Sequence, residues 1–275
     1  ILDLLKKRIK KIITASNYTK KNYSKSQIVS SFTDLTPNSA LLLTKGSQNI
    51  TNDEIPDNSV DLIITDPPYK DQVLYSEYMQ LYKPIVNLNF NLEDEIVVSP
   101  SPIRKRGETE YFELLDKVFN MCGKKLKQDS IMCLFFHDSN LTVWVELIEI
   151  LEKNGFKYIS QEHIKKTKTI KNIISPKKSL SGDAVLFFEN TKHIICTYNS
   201  NITPEEIAHN IYLEAKKLLE INGELSTPEL YDFGLMEVLI SNGWLKILST
   251  KYKTLVDIFE EHFIWNKVTA KWHLQ

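Results

Sequence analysis

The apolar run Val60-Asp61-Leu62-Ile63-Ile64-Thr65 stops at Asp66-Pro67-Pro68-Tyr69. Its β-branched content fits a buried strand. Two consecutive prolines cannot continue a central strand, because neither has an N–H to give to a neighbour. Whatever this chain folds into must therefore contain a strand that delivers a carboxylate to a stiffened turn. Ala40–Thr44, Ile131–Phe136, Phe156–Ser160 and Ala184–Phe188 are short apolar runs of the same kind. Between them, Tyr75–Tyr82, Glu110–Leu126 and Leu141–Leu151 have helical spacing, the last closed by Asn154-Gly155, a fitting C-terminal cap. Strand–helix alternation predicts an α/β fold with a parallel, doubly wound sheet. A chain of 275 residues is long enough for such a sheet, its core and a small appendage.

Both flanks differ in texture. Residues 1–37 read as a basic amphipathic helix (Ile1–Ile13) and a polar linker, and residues 38–200 carry the strands. Residues 201–275 read as a small helical domain. It starts at Thr203-Pro204-Glu205-Glu206, a capping residue, a proline and two acids, and continues with helices over Thr227–Ile240 and Thr250–Phe263. One reading of it is a winged-helix-like DNA reader. Its net charge of −4 argues against a major phosphate-binding role, and Trp244, Trp265 and Trp272 suggest packing, so a docking or dimerisation module is the other reading.

Charge is segregated rather than absent. Residues 1–30 and 101–180 are basic, and residues 31–100 are acidic, which excludes a uniformly basic nucleic-acid binder but allows a basic face beside an acidic cleft. Cys122, Cys133 and Cys196 have no C-x-x-C spacing, so neither disulfides nor a cysteine-based metal site is expected. No apolar run approaches the roughly 18 residues of a membrane span, and a cytoplasmic protein without membrane contact is expected. Only eight glycines are present, no two closer than nine residues, where average usage would give about nineteen. That excludes a P-loop and a Rossmann fingerprint within these residues.

The chemistry sits at Asp66–Tyr69. Ligands of open α/β sheets bind at the C-terminal ends of the strands. Here a carboxylate and the Pro67 carbonyl are two fixed acceptors beside an aromatic ring, a set that suits an exocyclic aromatic amine. Hydrogen bonds to both N–H groups favour the pyramidal, nucleophilic nitrogen and the positive charge that develops on attack. Tyr69 would stack on a base that has left its duplex. The cysteines follow Met121, Met132 and Ile195, so no Pro-Cys nucleophile for methylation at a cytosine carbon exists.

On these residues the chain resembles the S-adenosylmethionine-dependent amino-methyltransferases of DNA, whose fourth motif has this form. Asp-Pro-Pro-Tyr is typical of the adenine-N6 enzymes. The likeness covers about residues 38–190. Asp66-Pro67-Pro68-Tyr69-Lys70-Asp71-Gln72-Val73-Leu74-Tyr75-Ser76-Glu77 is similar to the Asp-Pro-Pro-Tyr-Tyr-Asp-x-Val-x-Tyr-Ser-Glu run of large bacterial DNA methylases. Leu126-Lys127-Gln128-Asp129, Trp144 and Asn154-Gly155-Phe156 match later landmarks. Lys70 replaces the second tyrosine, and Gly46-Ser47-Gln48 stands where many relatives have an acid. The family's Phe-x-Gly-x-Gly loop has no counterpart here.

The resemblance implies a methyltransferase-type sheet lacking its first strands, with S-adenosyl-L-methionine as cofactor and DNA as partner. Five strands of a seven-stranded sheet can be placed. The glycine loop is expected upstream of Ile1 in a longer protein, or on another subunit. Asp66, Pro67, Pro68 and Tyr69 would be catalytic, with Tyr69 and Tyr75 against the base. Arg104, Lys105, Arg106, Lys165, Lys166 and Lys168 would meet phosphates. Gly46, Ser47 and Gln48, with Asp66, would touch the cofactor. RNA base methylation and a non-catalytic fragment that binds nucleic acid or a partner are the alternatives.

Overall fold

The computed structural model describes residues 2–22, 26–68, 70, 74–85, 91–102, 105–136, 138–164, 176–177, 180, 183–196 and 201–275. Helix α1 (Leu2–Asn22) opens the chain. It runs on into the polar stretch expected to be a linker, as far as Asn22, with Thr14 and Thr19 hydroxyls donating back to the carbonyls of Lys10 and Ala15. β1 (Gln27–Val29) and β2 (Ser39–Leu41) pair parallel with each other, apart from the main sheet. The first of the five expected strands is therefore not a member of that sheet.

β3 (Val60–Thr65), β4 (Leu126–Phe136), β5 (Phe156–Ile164) and β6 (Asp183–Asn190) form a four-stranded sheet in the order β3-β4-β6-β5. β3 and β4 are parallel, whereas β6 runs antiparallel to both β4 and β5. The sheet is thus mixed, not parallel throughout. β4 and β5 still point the same way, and the crossover between them leaves a slot that β6 fills in reverse.

Between β3 and β4 lie α2 (Tyr75–Tyr82) and α3 (Glu108–Lys125); α4 (Leu141–Lys153) links β4 to β5. Tyr111, Leu115, Phe119 and Cys122 make the buried stripe of α3, at the spacing of one helix face. They share a core with Met132, Leu134 and Phe136 of β4 and with Leu186 and Phe188 of β6. Trp144 of α4 meets Phe136 edge-on at 4.7 Å. Asn190, fully buried, donates its amide to the carbonyls of Gly123 (3.0 Å) and Leu126 (2.8 Å). These carbonyls at the end of α3 have no partner further along the helix.

The core continues into the C-terminal region, where Ile207, Leu230, Leu248, Phe259 and Trp272 belong to the same buried cluster. Here α5 (Pro204–Asn222) starts with a reciprocal cap between Thr203 and Glu206, as its sequence predicts. α6 (Thr227–Leu230) passes through a π-helical turn at Tyr231–Leu235 into α7 (Met236–Ser241), followed by α8 (Leu245–Ser249) and α9 (Leu255–His262). β7 (Ile264–Asn266) and β8 (Lys271–His273) close the chain as a hairpin, and Leu225 bridges to Trp272. The last helix starts later than Thr250, because Thr254 and Asp257 form its cap.

No described helix is long and apolar enough to cross a membrane, and no cluster of metal-ligating side chains occurs among the described residues.

Candidate active site

β3 ends as its sequence demands, and Asp66 stands exposed beyond its last residue while Pro67 is buried and Pro68 half-buried. Since the prolines donate nothing, the turn is held through carbonyls. The Pro68 carbonyl accepts from the Tyr111 hydroxyl at 2.7 Å and from the Lys70 N–H at 3.2 Å. Lys70 has φ +37°, an uncommon value for a residue with a side chain. Its carbonyl accepts from Val98 N at 2.9 Å, and its ammonium lies 2.5 Å from a Glu108 carboxylate oxygen. The turn is thereby fixed between α3 and the segment around Val98. Tyr69 lies outside the described residues, as do Arg104, Lys165, Lys166 and Lys168.

A cleft of about 790 Å³ opens beside α2, lined by Thr44, Lys45, Gly46, Tyr75, Ser76, Met79, Asn91, Asp94 and Glu95. Tyr75 is 62% exposed, so its ring is a free surface rather than a core element. Glu95 holds the start of α2, accepting from Ser76 N (3.0 Å) and Ser76 Oγ (2.5 Å); a carboxylate is favoured at a helix N-terminus. Gly46 reaches the cleft. Gln48 departs from the expected ligand role, because its Nε2 donates to the Asp94 carbonyl at 3.1 Å while Asn49 donates to the Asp94 carboxylate at 2.7 Å. These contacts build the wall from inside. Ser47 sits in the same tight turn, Ser47–Asn49.

Lys45 pairs with Glu54 at 2.9 Å, and Glu54 also accepts from Thr51 N and Oγ1, each at 2.9 Å. The Thr51 N–H, then Lys45, hold the Glu54 carboxyl down from 4.5 to about 2. A depressed carboxyl contributes stability that is complete above its unfolded value and is lost as pH falls through the folded one. A carboxyl titration by NMR should therefore put the Glu54 midpoint near 2. Glu54→Gln should remove that part of the acid dependence, and a midpoint at the ordinary 4.5 would contradict the pairing.

Arg106 also departs from its expected role. Its guanidinium is turned inward, donating to the carbonyls of Glu95 and, at 3.1 Å, Glu93, while its backbone pairs with Ser99. A charge count reads such an arginine as a phosphate contact, yet orphan loop carbonyls have claimed it. Lys105 remains exposed. Sequence reasoning missed Tyr111, Ser76 and Glu95. Tyr111 lies on an apolar helical stripe, where an aromatic reads as core; its hydroxyl, which needs a partner when buried, was the available signal.

Residues 60–268, more than half of the chain, match the sequence model of the family described as DNA methylase. The chain belongs to the DNA methylase family. No curated relative matches it. Among solved structures, it is similar to a Thermus thermophilus protein described as a putative DNA modification methylase, complexed with S-adenosyl-L-methionine, at 13% identity and a TM-score of 0.33, over 64% of this chain and 73% of that one. The cytosine-N4-specific PvuII DNA methyltransferase is 16% identical with a TM-score of 0.32, over 50% of this methylase and 45% of that chain. The M1.HpyAVI complex with S-adenosylmethionine is 16% identical with a TM-score of 0.26, over 53% and 52%. At such scores these likenesses decide neither geometry nor chemistry.

Proposed function

We propose that this DNA methylase transfers a methyl group from S-adenosyl-L-methionine to the exocyclic N6 amine of adenine in DNA. The observation that carries the reading is the Asp66–Tyr69 turn. The Asp66 carboxylate is exposed at the C-terminal end of β3, and the backbone that follows it is held at Pro68 and Lys70. The Asp66 carboxylate and the Pro67 carbonyl accept the two N–H groups of the amine, direct its lone pair, and stabilise the charge that grows on nitrogen. Asp66 then takes up the proton that the amine loses. Tyr69 stacks on the extruded base, while Lys105 and the basic 163–182 segment serve the backbone.

The cleft beside α2 fits the cofactor by its donor set. Asp94 and Asn91 offer acceptors for hydroxyls and an ammonium group, and the Tyr75 ring, expected from the sequence against the target base, lines this cleft and with Met79 offers apolar surface for the flat base of the cofactor. S-adenosyl-L-methionine would supply the activated methyl group there. β3 supports one more feature: among the described residues it pairs only with β4, which leaves its other edge open, and on one of its faces Leu62 and Ile64 are 50% and 67% exposed. Parallel strands are usually covered on both faces. A further strand carrying the glycine-rich loop, from this protein or a second subunit, would pair at that edge. Residues 201–275 read as a winged-helix-like docking module, supported by the hairpin and the Leu225 bridge; Glu260 and Glu261, exposed on α9, oppose phosphate contact.

Calorimetry with S-adenosylhomocysteine tests the cofactor assignment. Binding is expected, and Tyr75→Ala should weaken it by about tenfold, the loss of one stacked ring. Absence of heat at millimolar ligand would refute the assignment.

A further inference from the structure

We propose that Tyr111 is a positioning residue for the amine-binding turn, setting where Asp66 and the Pro67 carbonyl stand through its hydrogen bond to the Pro68 carbonyl. The role rests on the methyl-transfer reading above, whereas the bond itself does not. Neither Pro67 nor Pro68 has an N–H, so this turn has no anchor of the usual kind. Its fixed point is the Pro68 carbonyl, with the Tyr111 hydroxyl at 2.7 Å as the nearer of two donors. The second donor, Lys70 N at 3.2 Å, belongs to a residue in left-handed backbone and holds weakly by itself.

Tyr111 is suited to the task. It is 2% exposed, packed in the core on the stripe of α3, so the carbonyl is tied to the buried core. Burial, with a smaller push from the Asp138 charge, raises its hydroxyl to about 12 against the opposing Lys70 N–H. It therefore remains a donor at every working pH. Glu108, one helical turn earlier, holds the Lys70 ammonium at 2.5 Å. Its carboxylate is largely exposed, so this second attachment contributes little.

The test is Tyr111→Phe, which deletes one oxygen. Amide exchange at Lys70 and Val98 should quicken by about tenfold, as for a local opening, with the amides of β4 unchanged. The kcat for methyl transfer should fall about 10- to 100-fold, the penalty of a misplaced reacting group, while KM for DNA and cofactor stays within about twofold. Unchanged exchange at Lys70 and Val98 in a folded variant would overturn the proposal, and so would a loss confined to KM. In the wild-type chain the Tyr111 hydroxyl proton should exchange slowly enough to be seen by NMR. A freely exchanging hydroxyl would overturn the bond even if the variant failed to fold. If the wild-type protein transfers no methyl group, the functional reading falls, while the exchange results still decide whether Tyr111 holds the turn.

Discussion

Asp66→Ala should lower kcat for methyl transfer by about 10²- to 10³-fold, the usual effect of removing one preorganised electrostatic contact from a transition state. The substitution removes the exposed carboxylate at the end of β3 and nothing from the core, so the fold should survive. Thermal unfolding should stay near wild type. Asp66→Asn is the sharper variant. It keeps the shape and one acceptor oxygen, but loses the charge that faces the developing cation and the site that takes up the proton. A loss similar to that of alanine would place the effect in charge; a much smaller one would place it in geometry. Activity within about threefold of wild type in both variants would remove Asp66 from the chemistry, since such a change is under 1 kcal/mol.

Trp272→Ala should give the largest loss of stability, about 3–5 kcal/mol by the range for large aromatic truncations. Trp272 is 1% exposed and sits where the hairpin meets the helices. Its ring packs against Trp265 and Phe259, with centroids at 4.9 and 5.8 Å, and the Lys177 ammonium lies 5.1 Å from its centre. Its indole N–H donates to the buried Thr227 hydroxyl at 2.9 Å, and Thr227 in turn donates to the Lys177 carbonyl. Alanine leaves both a cavity and a broken buried chain of hydrogen bonds. Trp272→Phe keeps most of the packing and should cost about 1–3 kcal/mol for the unsatisfied partner. Urea denaturation followed by circular dichroism measures both; a shift below about 1 kcal/mol for alanine, far under the truncation range, would show that the C-terminal region is not anchored on this residue.

Val60–Thr65 announced its strand because apolar, β-branched runs have few alternatives, and the two prolines forced its end. Thr203–Glu206 announced its helix because its cap is local chemistry. The direction of β6 was not legible, since Ala184–Phe188 reads alike in either direction; the crossover between β4 and β5 decides it. The length of α1 was also hidden, because its described part is exposed and no packing face marks its end. Within the site, the Asp66 carboxylate could be read from the turn that presents it. The inward turn of Arg106, the commitment of Gln48 to Asp94 and the hydroxyl of Tyr111 could not, because each depends on partners brought together only by the fold.

The central claim is that Asp66–Tyr69 acts on the N6 amine of adenine in DNA. Nucleoside analysis tests it most directly. The protein, expressed from its complete reading frame in a host free of DNA methylation, should leave N6-methyladenine in the host DNA, and its Asp66→Ala variant should not. N4-methylcytosine alone, methylated bases confined to RNA, or a yield indifferent to Asp66 would contradict the account.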